Sequence, residues 1–305
     1  MTTLSYSVTR NFQNLLQWTR KIISRIPLLW KVKMGAYDTP IKIFDFAYWP
    51  NFSEDIGVLS SMVEHEEWKP KKITEVPSGE KENYYYKFSE DKPVLASYIL
   101  NTYKRIIQEG NKLLVTSDEK FSCFHTGLFS SSRLPIYVIF EKNSFIGRQY
   151  WKFLKFSLKS DRQLLAMGKL PEMCDYSLIP SDFVFNPTKE IVPSINHILY
   201  DYPWRYSCEF QKLSKMAREN LMDGALRRAE YLIRQTSTMV VPQYYMGTIQ
   251  LLMPLCLMED EPEIALILEA VGDSYRANTV LPLDWAYMNA RVITKPNANW
   301  LQQLI

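Results

Sequence analysis

The sequence predicts an α+β fold, a central antiparallel or mixed sheet that ends in a C-terminal three-stranded meander and is flanked by helices. Three observations carry this. Apolar runs Tyr245–Leu257, Ile264–Val271 and Tyr275–Leu283 follow one another closely, separated by Glu259-Asp260-Glu261-Pro262 and Gly272-Asp273-Ser274. Those separators are turn residues at hairpin length. Strand-like segments also crowd the centre of the chain, and amphipathic helices stand on both sides of them. A meander so poor in charge needs other elements to cover it. Strands on both sides of a long helix favour one mixed domain, residues 39–305, after a basic N-terminal segment, residues 1–38.

That leader comes first in the chain. Met1 to Tyr37 holds no acidic residue, while Arg10, Arg20, Lys21, Arg25, Lys31 and Lys33 add positive charge. Phe12, Leu15, Leu16, Ile22, Ile23, Ile26 and Leu29 fall near one helical stripe, the pattern of a helix packed on the body, of an organelle transit peptide, or of a helix that meets a membrane surface or an anionic partner. Ile41–Tyr48 enters the globular body. Ser53, with Glu54 and Asp55, reads as the start of a helix running to about Glu66. His65-Glu66-Glu67-Trp68 lacks the second histidine of a zinc-binding H-E-x-x-H and reads as a helix end. Lys69–Asn83 reads as an exposed loop. Asp91, Pro93 and Gly110 bracket a second helix with Val94, Leu95, Tyr98, Ile99, Thr102 and Ile106 inside.

Strands are expected over Lys112–Thr116, Phe121–Phe129, Ile136–Phe140 and Tyr150–Leu158, with Asn143–Gly147 as one of the connections. Prolines 171, 180, 187 and 193 keep the next stretch irregular. A helix over Cys208–Gln235 should bury Leu213, Met216, Ala217, Leu221, Ala225, Ala229 and Leu232. Along Tyr245–Leu257, alternation puts Ile249, Leu251, Met253 and Leu255 on one face. Asp284–Ile293 closes the three apolar runs as a short amphipathic segment.

Bulk composition excludes several classes. With 305 residues, 47% hydrophobic and 14% aromatic, there is material for a substantial core, and 10 glycines against 17 prolines argue against a low-complexity chain. A formal charge of +3 is too small to be a nucleic-acid signature by itself. The four scattered cysteines form no C-x-x-C pair, and three lie in apolar or aromatic surroundings, as buried thiols do. This fits a reducing, cytoplasmic compartment. No stretch is apolar for long enough to span a membrane. His65, His125 and His197 share no metal-ligand spacing, and phosphate-loop and nucleophile-elbow motifs are missing, so no cofactor is expected.

Several short pieces of the chain form a recognisable series: Phe44-Asp45-Phe46-Ala47 with Glu67-Trp68; Phe124-His125-Thr126-Gly127-Leu128; Asn196-His197-Ile198-Leu199; Val241-Pro242-Gln243-Tyr244-Tyr245; and Ala286-Tyr287-Met288-Asn289-Ala290-Arg291 with Trp300-Leu301. In order and spacing the series resembles an uncharacterised bacterial family known only as a domain of unknown function. Some members of that family are joined to cold-shock-like or other RNA-binding modules, which implies an RNA-linked or conflict-system role by association. The family box more usually reads N-T-G-L; here His125 stands in the Asn place.

The expected ligand is RNA or a nucleotide. A glycine within a strand marks a bulge or a close backbone approach, which draws attention to His125, Thr126 and Gly127. Trp151, Phe153, Lys155 and Lys159 read as one strand face on which aromatics stack on unpaired bases and lysines follow the backbone. Tyr275, Arg276 and Arg291 are further candidates. Arg291 would grip an anion in a recess shared with the His125–Gly127 strand, or would pair with Asp284. Cys123 beside His125 reads as core filling rather than as a nucleophile. His197 reads as a core histidine, and Arg227-Arg228 as a solvated face. An RNA-binding protein is the leading expectation. The alternatives are a nucleotide-dependent enzyme of a defence or RNA-processing pathway and a protein-interaction scaffold.

Overall fold

The computed structural model describes residues 39–77, 88–145, 149–176, 180–245 and 247–305. The leader, the end of the Lys69–Asn83 loop and part of the Asn143–Gly147 connection lie outside the described residues. Pro40–Ile305 forms one compact unit. It is α+β, with two mixed sheets of five and six strands and, among the described residues, nine α-helices.

The first sheet contains β1 (Ala47–Tyr48), β2 (Leu114–Val115), β3 (Phe121–Phe129), β4 (Pro135–Lys142) and β5 (Trp151–Leu158), in the order β1-β5-β4-β3-β2. Its pairings are antiparallel except β1 with β5. Alternation divides its faces. Phe124, Ile136, Val138 and Phe140 enter the main core, whereas Cys123, Tyr137 and Ile139 point the other way and meet Leu164. Helix α1 (Ile43–Phe46) leads into β1. Helices α2 (Phe52–Met62) and α3 (Pro93–Glu109) add to the main core. The α2 helix stops at Met62, sooner than expected; Val63 then bridges to Ser130 and Glu64 donates its amide to Phe129 O (3.1 Å). Of the 17 residues of α3, 13 are buried, so packing surrounds it well beyond the predicted stripe. Gly110 caps it in the left-handed region (φ 75°). On the far face lies α4 (Arg162–Ala166), capped by Asp161.

The second sheet contains β6 (Glu190–Pro193), β7 (Val241–Tyr245), β8 (Thr248–Leu255), β9 (Ile264–Val271), β10 (Ser274–Ala277) and β11 (Val280–Pro282). Its order is β6-β10-β9-β8-β7, and β11 also pairs with β9. The meander is present with one change: the third apolar run breaks into β10 and β11, both antiparallel to β9. Pro242 is tolerated because β7 is an edge strand. Pro254 lies beyond the last β7–β8 pair, where its missing N–H removes no bond to β7. Leu251, Met253 and Leu255 pack into one core cluster while Leu252, Ala265 and Ile267 join the core shared with the first sheet.

Between β6 and β7 come α5 (Ile195–Tyr200), α6 (Cys208–Gln211) and α7 (Lys215–Gln235). The helix expected from Cys208 to Gln235 is two, because Ser207 and Ser214 each cap a separate start, accepting from Phe210 N and Ala217 N (both 3.2 Å). The buried stripe of α7 is Met222, Ala225, Leu226, Ala229 and Ile233, and Met216 is 70% exposed. His197 is also no core residue: its side chain is exposed beside Asp201. Two thiols, Cys123 and Cys174, are buried. Helices α8 (Leu283–Arg291) and α9 (Asn299–Gln302) close the chain, with α8 packed on α3 and β7. No helix of the described residues is long and apolar enough to cross a membrane.

Candidate functional site: a lysine-lined cleft on the far face of the first sheet

The register of β3 against β4 shifts between His125 and Phe129. Thr126 and Gly127 explain how the strand holds this bulge. Thr126 Oγ1 donates to Ile136 O (2.8 Å) and accepts from Leu128 N (3.1 Å). Gly127 takes φ +81°, and Tyr98 Oη occupies the space a Cβ would fill, so no other residue fits there without a shift. This backbone turns the Gly127 amide back onto its neighbour: it donates to His125 Nδ1 (2.8 Å). In the neutral ring, Nε2 therefore carries the proton. The imidazole lies 4.9 Å from the Tyr137 ring and 5.7 Å from Phe129, centroid to centroid. Burial, with Lys159 nearby, lowers its pKa to about 4.

His125 lines a cleft of about 860 Å³ with Phe129, Tyr137, Lys112, Lys159 and Lys169. Lys112 is committed to Met173 O (3.1 Å) and Glu172 (3.6 Å). Lys159 and Lys169 are exposed and, among the described residues, make no ion pair. Phe129, Leu165 and Met173 form an exposed apolar rim. One wall is the segment 170–175, which α3 pins. Arg105 donates to Asp175 O (2.9 and 2.6 Å), and Glu109 accepts from Asp175 N (2.8 Å). The result is a concave surface with cations at its edge, aromatics at its side and a neutral donor at its floor.

The other sequence candidates separate from this cleft. Lys155 was expected to share one strand face with Trp151 and Phe153. A bulge in β5 prevents this: Phe140 pairs with Phe153 but Ile139 with Lys155, leaving Leu154 as the extra residue. Trp151 and Phe153 consequently belong to the main core, Phe153 stacked on Trp49 at 4.0 Å. Lys155 instead pairs with Asp161 (2.8 Å), whose carboxyl that bond holds at about 2. Tyr275 is buried, stacked on Phe185, and lines a second cavity of about 630 Å³ with Arg105, Tyr176 and Tyr244. Arg276 is on the surface facing Glu269 at 4.0 Å.

Arg291 is buried, but Asp284 is not its partner. Asp284 accepts from Thr74 N (2.9 Å) and Oγ1 (2.8 Å). Arg291 makes a two-pronged pair with Glu66, Nε to Oε1 at 2.6 Å and NH2 to Oε2 at 2.9 Å, with each side chain 9% exposed. Its guanidinium lies 4.9 Å from both the Trp68 and the Tyr98 ring centroids. The link to the His125–Gly127 strand exists, through Tyr98, but on the interior side. Nearby, Asn289 donates to Gln243 Oε1 (3.0 Å) and Gln243 to Gln250 Oε1 (2.9 Å). Trp68 and Arg291, from the first and last of the short sequence pieces, thus meet in one buried cluster, while Gln243 and Asn289 meet in another.

Cys123 lies in the small far-face core, its thiol pushed up to about 12 by burial, which suits a filler and not a nucleophile. The described residues contain no group of three His, Cys, Asp or Glu side chains arranged to hold a metal. Lys112, Phe129, Tyr137 and Lys169 escaped the sequence reading. Strand alternation from His125 carried a signal for Phe129, and Tyr137 is the cross-strand neighbour of His125; Lys169 sits in a loop and carried none.

An α+β protein with a pinned bulge and a lysine-lined cleft is a class, not an activity. The family is more definite: residues 59–300 match the model of a domain of unknown function, DUF3825, and the chain belongs to that family. Comparison with curated proteins and with solved structures finds no match.

Proposed function

We propose that this protein binds RNA in its unpaired form, through the far-face cleft of the first sheet. The observation that supports it is the convergence of Lys159 and Lys169, neither ion-paired among the described residues, with His125 and the exposed Phe129 on one concave surface. Lysines without partners match backbone phosphates, and an open aromatic face matches an unstacked base. The enzyme reading that joined His125 to Arg291 loses its support, since Arg291 is committed to Glu66 away from the cleft. The basic leader belongs to the same reading as an auxiliary contact to an anionic partner.

Fluorescence anisotropy with a labelled mixed-sequence single strand tests the proposal. Two or three phosphate contacts should weaken binding roughly tenfold between 50 and 200 mM salt. Lys159→Gln and Lys169→Gln should each weaken it and flatten that dependence. No binding above background at low salt would sink the reading.

A further inference from the structure

The groups around His125 form a continuous chain into the interior. Glu66 fixes the Arg291 guanidinium with two bonds, and that guanidinium lies against the Tyr98 ring. Tyr98 Oη fills the space above the Gly127 Cα, and the Gly127 amide caps His125 Nδ1. Each member is buried or sits on a bonded backbone, so the imidazole has one orientation and one tautomer. A doubly protonated ring would aim Nδ1–H at the Gly127 N–H, which the bulge cannot turn away. Nε2, in contrast, meets no protein acceptor among the described residues and is not sealed from solvent. It is the open edge of a side chain that is 6% exposed. Such precise placement of a neutral donor is unnecessary for holding a phosphate, which Lys159 and Lys169 can do as mobile charges.

We infer that His125 is the base-reading residue of the cleft: it presents Nε2–H to an acceptor atom on an unpaired base while Lys159 and Lys169 hold the neighbouring phosphates. This deepens the RNA reading and rests on it. Phosphate contacts set affinity without regard to sequence, whereas a hydrogen bond to a base edge is felt by some bases and not by others. The Phe129 and Tyr137 rings lie against the imidazole, and the exposed Phe129 ring suits a planar group beside the donor. Gly127 and Tyr98 are positioning residues in this scheme, and His125 alone touches the base.

The full chain is titrated with four labelled single-stranded RNAs that differ only in the identity of one central base. His125→Gln and His125→Met are compared, two side chains of similar length of which only Gln keeps an N–H. Met should compress the ratio between the preferred and the least preferred base by roughly three- to tenfold, the worth of one hydrogen bond. Gln should retain most of the ratio. Lys159→Gln should lower all four affinities by a common factor. Equal ratios in wild type and His125→Met, or a wild type indifferent to the base, would overturn the inference and leave RNA binding standing. A wild type that binds none of the four would remove the RNA reading itself.

Discussion

At the scale of the residue, the most consequential pair is Arg291 with Glu66. Both are buried and joined by two short bonds, so removing one partner strands the other charge in a poorly solvated interior. Arg291→Met should therefore destabilise the fold by about 3–5 kcal/mol in denaturant unfolding. The double change Glu66→Met with Arg291→Met should recover much of that loss, since no charge is left behind. His125 supplies a second residue-scale prediction, in which pH is the variable. Its folded pKa lies at about 4, below the ordinary 6.5, because burial and Lys159 disfavour the cation. Between these values the unfolded chain binds the proton and the folded chain does not. Stability should accordingly fall as pH drops from about 6.5 to about 4 and level off beneath it, for this group. His125→Gln should remove that part of the acid sensitivity, visible as a larger wild-type-minus-variant stability difference at pH 7 than at pH 4. Little of this was legible beforehand. Gly127 announced a backbone peculiarity, but Glu66 lies 225 residues from Arg291, and only the folded chain brings them together.

At the scale of the element, α7 shows how a periodic pattern fixes a helix but leaves its rotation open. Apolar residues recur on more than one stripe of Lys215–Gln235, and the sheet buries the one through Met222, Ala225, Ala229 and Ile233. Met216→Lys should change stability by no more than about 0.5 kcal/mol, as for an ordinary surface site. Met222→Ala should cost about 2–5 kcal/mol. Equal costs in thermal or urea unfolding would return Met216 to the core and contradict the observed rotation. Ser214→Ala, which removes the cap on Ala217 N, should cost about 1 kcal/mol. Strands were more legible than helices. The alternation along β8 assigned Leu251, Met253 and Leu255 to one face correctly, because a period of two leaves only two choices. The same rule misplaced Lys155, since one extra residue at Leu154 reverses every face beyond it.

At the scale of the whole molecule, two mixed sheets share a core through α3 and α8, and α3 serves both the interior and the cleft. Its Tyr98 props the Gly127 bulge from within, and its Arg105 and Glu109 pin the Asp175 peptide in the wall. Helix α3 thus holds the cleft's floor and wall from the interior side, and of the short motifs only the one that contains His125 lines the cleft. The fold class was readable from punctuation and periodicity. Of the cleft, the sequence reading named only His125 and Lys159; Phe129 and Tyr137 lie in strands whose alternation it did not follow, and the wall at 168–175 comes from a loop without periodic pattern. The central claim is that RNA occupies this surface. Photocrosslinking of a 4-thiouridine-containing single strand, with the attached peptides mapped by mass spectrometry, tests it most directly. The account predicts attachment within Phe129, Tyr137 or the 159–173 segment, lost on Lys159→Gln with Lys169→Gln; attachment confined to the exposed arginines of α7 or to the second cavity would contradict it.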